Sequence, residues 1–157
     1  MADTHMPRGT RRLPAECLRR LEEADVILHA GDFVTVAVLE GLQVLAPVEG
    51  VVGNMDQPGL RELLPERRVV EVDEVRIGIV HVPGPAAGRG KRLISAFPGC
   101  DAVVYGHTHL PERSRVGDVW VLNPGSPTER RGAHAHSMLV LEVDSGHIRP
   151  ELVTFSS

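Results

Sequence analysis

No stretch of these 157 residues is apolar for long enough to span a bilayer, and the first residues lack the charged-then-apolar order of a secretory signal. A cytoplasmic protein without a membrane partner is therefore expected. Cysteine is scarce: Cys17 and Cys100 stand far apart and match no metal or redox spacing, so two reduced, partly buried thiols are expected. Lysine is nearly missing, Lys91 being the only one among 17 basic residues, which reflects coding bias rather than function. An excess of positive charge is missing too. The formal net charge of -4 and pI near 6.0 argue against general nucleic-acid binding, because such a surface repels phosphate backbones. Phosphate recognition, where it occurs, has to be local. There is no repeat, low-complexity segment or linker. The length suits one domain over 1–157, with 42% apolar residues to fill its core.

What is present is a run of short apolar segments punctuated by turn residues. A helix is expected from Pro14 to Glu23, with Leu18 and Leu21 on its buried face, followed by a strand from Val26 to Ala30. Val36 to Leu45 reads as a second helix, Val48 to Val52 as a short strand, and Arg89 to Phe97 as a third helix before the apolar run Ala102 to Tyr105. Three hairpins follow from their turns: 69–72 against 75–80 around Asp73-Glu74, 113–116 against 119–122 around Gly117-Asp118, and 138–143 against 148–155 around Asp144-Ser145-Gly146. The pattern is α/β first and β-rich later. Two sheets packed face to face with helices outside would bury all of it.

The residues that carry chemistry sit just past strands, in short loops rich in Gly: Asp3 and His5, Gly31-Asp32, Gly53-Asn54-Met55-Asp56, His81, and Gly106-His107-Thr108-His109. In α/β sheets, ligand sites form at the carboxyl ends of strands, so loops far apart in sequence can converge. Asp, His and Asn together suit transition ions such as Mn, Fe, Zn, Co or Ni, whereas a Ca or Mg cage is all oxygen. Leaving Asp56 aside, seven candidate ligands exceed what one tetrahedral ion needs, and two ions sharing a ligand would use them all. Two metals about 3.5–4 Å apart form a recurring clamp for in-line displacement at phosphorus. No Ser/His/Asp or Cys/His nucleophile pattern competes with this reading.

Asp3-Thr-His5, Gly31-Asp32, Gly53-Asn54-Met-Asp56, His81 and Gly106-His107-Thr-His109 resemble, in this order, the motif set of the calcineurin-like metallophosphoesterases. The length, the opening around Asp3-Thr-His5-Met-Pro-Arg8-Gly9 and the late Asn123-Pro-Gly-Ser126 are more similar to the small phosphodiesterases of bacteria and archaea. The resemblance implies a four-layer α/β/β/α sandwich of two mixed sheets. It places Asp3, His5, Asp32 and His109 on a first ion and Asp32, Asn54, His81 and His107 on a second, with Asp32 as the bridge. Mn is the ion it favours. Asp32, Asn54 and His107 are then the catalytic residues, and the implied reaction is hydrolysis of a small phosphodiester by a metal-bridging hydroxide.

Two departures from the family pattern stand out. Many relatives carry His where this chain has Met55, and Met cannot protonate a leaving group. The preference this implies is for phosphodiesters with good leaving groups. Only Met1 and Ala2 precede Asp3, where the family has an apolar first strand. Missing that strand leaves a neighbouring edge unpaired and Asp3 and His5 on a fraying terminus; a truncated start is the expectation, the alternative being poor binding of the first metal.

Other polar residues carry blander readings. His29 is expected to be a buried, hydrogen-bonded structural residue, the alternative being support of a ligand; His134, His136, Arg130 and Arg131 are expected to form a solvated loop, the alternative being a basic lip facing substrate; His147 is expected on the surface. Asp56 could position a ligand or a water. Asn123 and Ser126 either line the site or shape a turn. Arg8, with Arg11 and Arg12, is either a solvated face or a contact for a substrate phosphate. A different class of function stays open: a binding or scaffold protein on the same fold, as in the retromer subunit this family resembles. A homo-oligomer stays open as well.

Overall fold

The strand β5 (Ala102–Tyr105) has neighbours on both faces. Ala102 and Val104 enter one apolar cluster, while Val103 and Tyr105 enter another, the alternation that a strand covered on both sides requires. The computed structural model describes residues 1–156 of the chain, and they are built outward from that strand. Its sheet also contains β3 (Arg67–Val72), β4 (Val75–Val80), β6 (Glu112–Val116) and β7 (Val119–Asn123), in the order β3-β4-β5-β7-β6. The inner pairs β4-β5 and β5-β7 are parallel, and the outer pairs are antiparallel hairpins. The turn residues Asp73 and Glu74 both have positive φ, as a tight two-residue hairpin requires.

The second β layer consists of two ladders. One is the parallel pair β1 (Ile27–His29) and β2 (Val48–Gly50); the other is the hairpin β8 (His136–Asp144) and β9 (His147–Phe155). Leu28, Val51, Leu139 and Leu141 of this layer pack against Ile77, Ile79 and Val104 of the five-stranded sheet, forming the central core. Outside the ladders lie α1 (Ala15–Glu22), α2 (Val36–Leu45) and α3 (Pro58–Leu63), whose Cys17, Leu21, Leu39, Leu42 and Leu60 meet Met138 and Phe155. On the far side, α4 (Arg89–Ala96) sets Leu93 against Val103 and Val121, with Phe97 just beyond it. The order helix, sheet, sheet, helix is the four-layer α/β/β/α sandwich that the sequence implies.

Three details differ from expectation. Leu18 is 38% exposed, because Cys17 and Leu21, four residues apart, take the inward face of α1. Leu18 instead borders an open apolar groove with Leu13, Val38 and Leu45. The six-residue α3 begins at Pro58 and is too short to show periodicity in the sequence. Finally, Asp3 and His5 do not fray: both are fully buried. The segment 1–5 runs beside β1 and is held by bonds from Ala30 N–H to Met1 O, Asp3 N–H to Gly31 O and His5 N–H to Asp32 O, at 2.9, 2.9 and 3.1 Å. Below Met1 an apolar groove of about 450 Å3, bordered by Leu28, Leu139 and Leu141, separates β1 from β8. Among the described residues, no helix is long and apolar enough to cross a membrane. Both cysteines are buried and free.

Candidate metal centre

Each motif loop leaves the C-terminal end of a strand or of the segment beside β1, so the strand ends bring together residues more than a hundred positions apart. Five of the seven, Asp3, His5, Asp32, His107 and His109, hold left-handed backbones with φ of 55°, 42°, 60°, 71° and 61°. Non-glycine residues rarely adopt that region, and such strain gathers at functional sites. The loops also pack too closely for side chains at their glycines. A Cβ on Gly106 would lie 2.9 Å from both Asp3 Oδ2 and Ala30 O, and one on Gly53 would overlap the backbone nitrogen and carboxylate of Asp32.

The side chains meet in two groups. In the first, His5 Nε2 lies 3.2 Å from His109 Nε2. Asp3 Oδ1 lies 3.7 Å from His5 Nε2 and 3.4 Å from His109 Nε2. In the second, His81 Nε2 lies 2.8 Å from Asn54 Oδ1 and 3.2 Å from Asp32 Oδ2, and His107 Nδ1 lies 3.0 Å from the same Asn54 oxygen. Asp32 Oδ2 is also 3.5 Å from His5 Nε2, so this carboxylate stands between the two groups. Its other oxygen accepts the Met55 N–H at 2.8 Å. Asp3, His5 and His109 are wholly buried and Asp32 and His81 nearly so, whereas His107 is half-buried and Asn54 exposed.

Backbone carbonyls fix two of the imidazoles. His81 Nδ1 is 2.7 Å from Ala30 O and His109 Nδ1 is 2.5 Å from Glu129 O, so in each neutral ring the proton sits on Nδ1. The Nε2 lone pair of His81 therefore points at the Asn54 and Asp32 oxygens, and that of His109 at Asp3 Oδ1 and His5 Nε2, an arrangement of bare acceptors that a cation among them resolves. Asp3 Oδ1 makes the same point: it is buried without a hydrogen-bond partner, while Oδ2 accepts the His107 N–H at 2.9 Å. The groups Asp3, His5, His109 and Asp3, Asp32, His81 each have donor atoms close enough to hold one ion. The residues thus fit divalent cations in both halves.

Charge coupling follows the geometry. Burial works against the Asp32 carboxylate, yet the bond and charge of His81, with the Met55 N–H, hold its pKa below the ordinary range. Burial likewise works against a charged His81, but Asp32 and Asp3 raise its pKa. Burial lowers His107 and His109, keeping them neutral and ready to donate lone pairs.

The remaining candidates brace this centre. Asp56 accepts three backbone N–H groups, from Asp32, Gly53 and Val34 at 3.2, 2.7 and 2.7 Å, tying two loops together. Asn123 both shapes its turn, accepting Gly125 N–H at 2.9 Å, and tethers the histidine loop through Gly106 O and Thr108 Oγ1. Ser126 donates to Asp3 O at 2.7 Å. His29 is buried, accepts Gly31 N–H at Nδ1, faces Thr4 Oγ1 with Nε2 and stacks on Phe33. Arg8 is exposed and turns no side-chain bond toward the site among the described residues. The basic residues near it are Arg11 and Arg131, which stand 2.8 and 3.9 Å from the Glu129 carboxylate. Sequence reasoning missed Glu129; the only signal was its position three residues beyond Ser126.

A family model for the calcineurin-like phosphoesterase superfamily domain matches residues 1–146. The chain is 35% identical over 157 residues to a probable metallophosphoesterase of Methanothermobacter thermautotrophicus, covering 98% of this chain and 89% of the relative. It is 29% identical over 140 residues to a phosphodiesterase of Methanocaldococcus jannaschii, covering 80% of each. Among solved structures, Vps29 of Entamoeba histolytica in complex with zinc is similar with a TM-score of 0.76 and 25% identity, covering 99% and 97% of the two chains. Buried motif residues meeting at strand ends, and relatives matched over nearly the full length, lead to one conclusion: the chain belongs to the calcineurin-like phosphoesterase superfamily.

Proposed function

We propose that this protein hydrolyses a small phosphodiester at a centre of two divalent cations. Asp3, His5, Asp32 and His109 would hold the first cation and Asp32, Asn54, His81 and His107 the second; the mixture of oxygen and imidazole donors suits a transition ion, of which the resemblance to the family favours Mn(2+). The observation that carries the reading is the convergence of Nε2 lone pairs on carboxylate oxygens, with Asp3 Oδ1 buried and unpartnered. When bound, the cations supply Lewis-acid polarisation of the phosphoryl oxygens and an activated water. The chain itself orients and excludes. Ala30 and Glu129 carbonyls aim His81 and His109, Asp56 clamps the loop of Asp32 to that of Asn54, and burial keeps water from the donor atoms. His107 and Asn54, the accessible members, form the edge that a substrate meets.

Met55 is exposed beside Asn54 and offers no proton, so substrates with good leaving groups suit the site. The relative named a phosphodiesterase supports the diester class. The net charge of -4 keeps the substrate small rather than polymeric, and a cytoplasmic setting fits the free cysteines. The test is hydrolysis of an aryl phosphodiester by Mn(2+)-loaded protein beside an Asp32→Ala, His107→Ala variant. The expected loss is at least about a hundredfold, the scale of several kcal/mol of charge stabilisation. Equal rates would refute the enzyme reading. They would favour a binding protein on this fold, for which the open apolar groove beside α1 and α2 is the specific support.

A further inference from the structure

Beside the motif residues of the first half of the centre stands one more carboxylate, that of Glu129. The loop after β7 is fastened to the segment around Asp3 by hydroxyls: Ser126 Oγ accepts the Glu129 N–H at 2.9 Å and donates to Asp3 O, and Thr128 Oγ1 donates to Thr4 O at 2.6 Å. Glu129 then contributes twice. Its carbonyl accepts a hydrogen bond from His109 Nδ1–H, and its carboxylate approaches the same group, Oε2 lying 3.8 Å from His5 Nε2. Arg11 holds the other carboxylate oxygen at 2.8 Å, and Arg131 stands 3.9 Å from Oε2. The carboxylate is therefore held toward His5 Nε2, the nitrogen that also lies 3.7 Å from the fully buried Asp3 Oδ1, which no hydrogen bond satisfies.

We infer that Glu129 is an additional carboxylate of the first cation's site, acting on that cation directly or through its water, with Arg11 as its holder. The inference rests on the two-cation reading above. A third carboxylate beside Asp3 and Asp32 adds negative charge and a hard oxygen donor, which favours Mn(2+) over softer ions in this half. Residues that support ligands from outside the ligand set typically change metal affinity by about 10–100-fold.

The test is calorimetric titration of the metal-free full chain with MnCl2. Wild type should show two sites per chain. Glu129→Gln, which keeps size and backbone carbonyl but removes the charge, should weaken one site by about 10–100-fold and leave the other unchanged. Glu129→Ala should do the same. Arg11→Ala keeps the carboxylate and removes only its holder, so it should weaken that site by less than about threefold; a loss matching that of Glu129→Gln would assign the effect to the ion pair and overturn the inference. Two sites of unaltered affinity in Glu129→Gln would also overturn it while leaving the two-cation reading intact. Fewer than two sites in wild type would overturn both.

Discussion

Asp56 shows how one side chain can govern a site without facing a ligand. Its two oxygens accept the N–H groups of Asp32, Val34 and Gly53, and burial raises its pKa although those same bonds favour the charged form. Asp56→Ala leaves three N–H groups without their acceptor, at about 1–3 kcal/mol for each one that stays buried. A fall in the denaturant midpoint and a weaker second cation site are expected together; unchanged affinity for both cations would show that Asp56 only stabilises the fold. His29 gives a pH prediction. Burial depresses its pKa well below the ordinary value, so below about pH 6.5 the unfolded chain binds a proton that the folded chain refuses. Stability of metal-free protein should therefore drop as pH falls from 7 toward 5. His29→Gln should flatten that slope by up to about 1.4 kcal/mol per pH unit, and equal slopes in the two proteins would count against the assignment.

At the scale of elements, close approach between layers sets the strictest demands. Gly78 in β4 faces Phe97, and a Cβ there would overlap the ring. Gly78→Ala is expected to cost about 1–3 kcal/mol through displaced packing of the α4 end, read as a lowered melting midpoint; no change would mean that Phe97 has room to move. The elements themselves were legible where local chemistry is strong. The three hairpins announce their turns at Asp73-Glu74, Gly117-Asp118 and Ser145-Gly146, α2 spans Val36–Leu45 as its apolar pattern requires, and β5 spans Ala102–Tyr105. Less legible were features that tertiary contacts decide. Leu18 loses the inward face to Cys17, α3 is a single short helix after Pro58, and the segment 1–5 is fixed by bonds to β1 that no local pattern encodes. The candidate ligands were visible as residue types after strands. Glu129 was not, because its approach to His5 depends on Ser126 and Thr128 fastening one loop to a segment over a hundred residues away.

Over the whole molecule, the four layers serve to bring strand ends from both β layers to one place, and cations would then link those layers. Ligands that bind only the folded state add stability, about 2.7 kcal/mol per site at a hundredfold excess over Kd. Chelation of Mn(2+)-loaded protein should therefore lower the melting midpoint by several degrees, with His5→Ala and His81→Ala each showing a smaller drop; an unchanged midpoint would mean that the cations do not join the layers. Asp32 is the residue on which the two halves depend, standing 3.5 Å from His5 Nε2 and 3.2 Å from His81 Nε2. The most direct measurement is the metal content per chain after equilibration with Mn(2+) and removal of free ion. Two ions are expected in wild type and at most one, weakly held, in Asp32→Ala; a single ion in wild type, or two retained in Asp32→Ala, would contradict a two-cation centre that depends on Asp32.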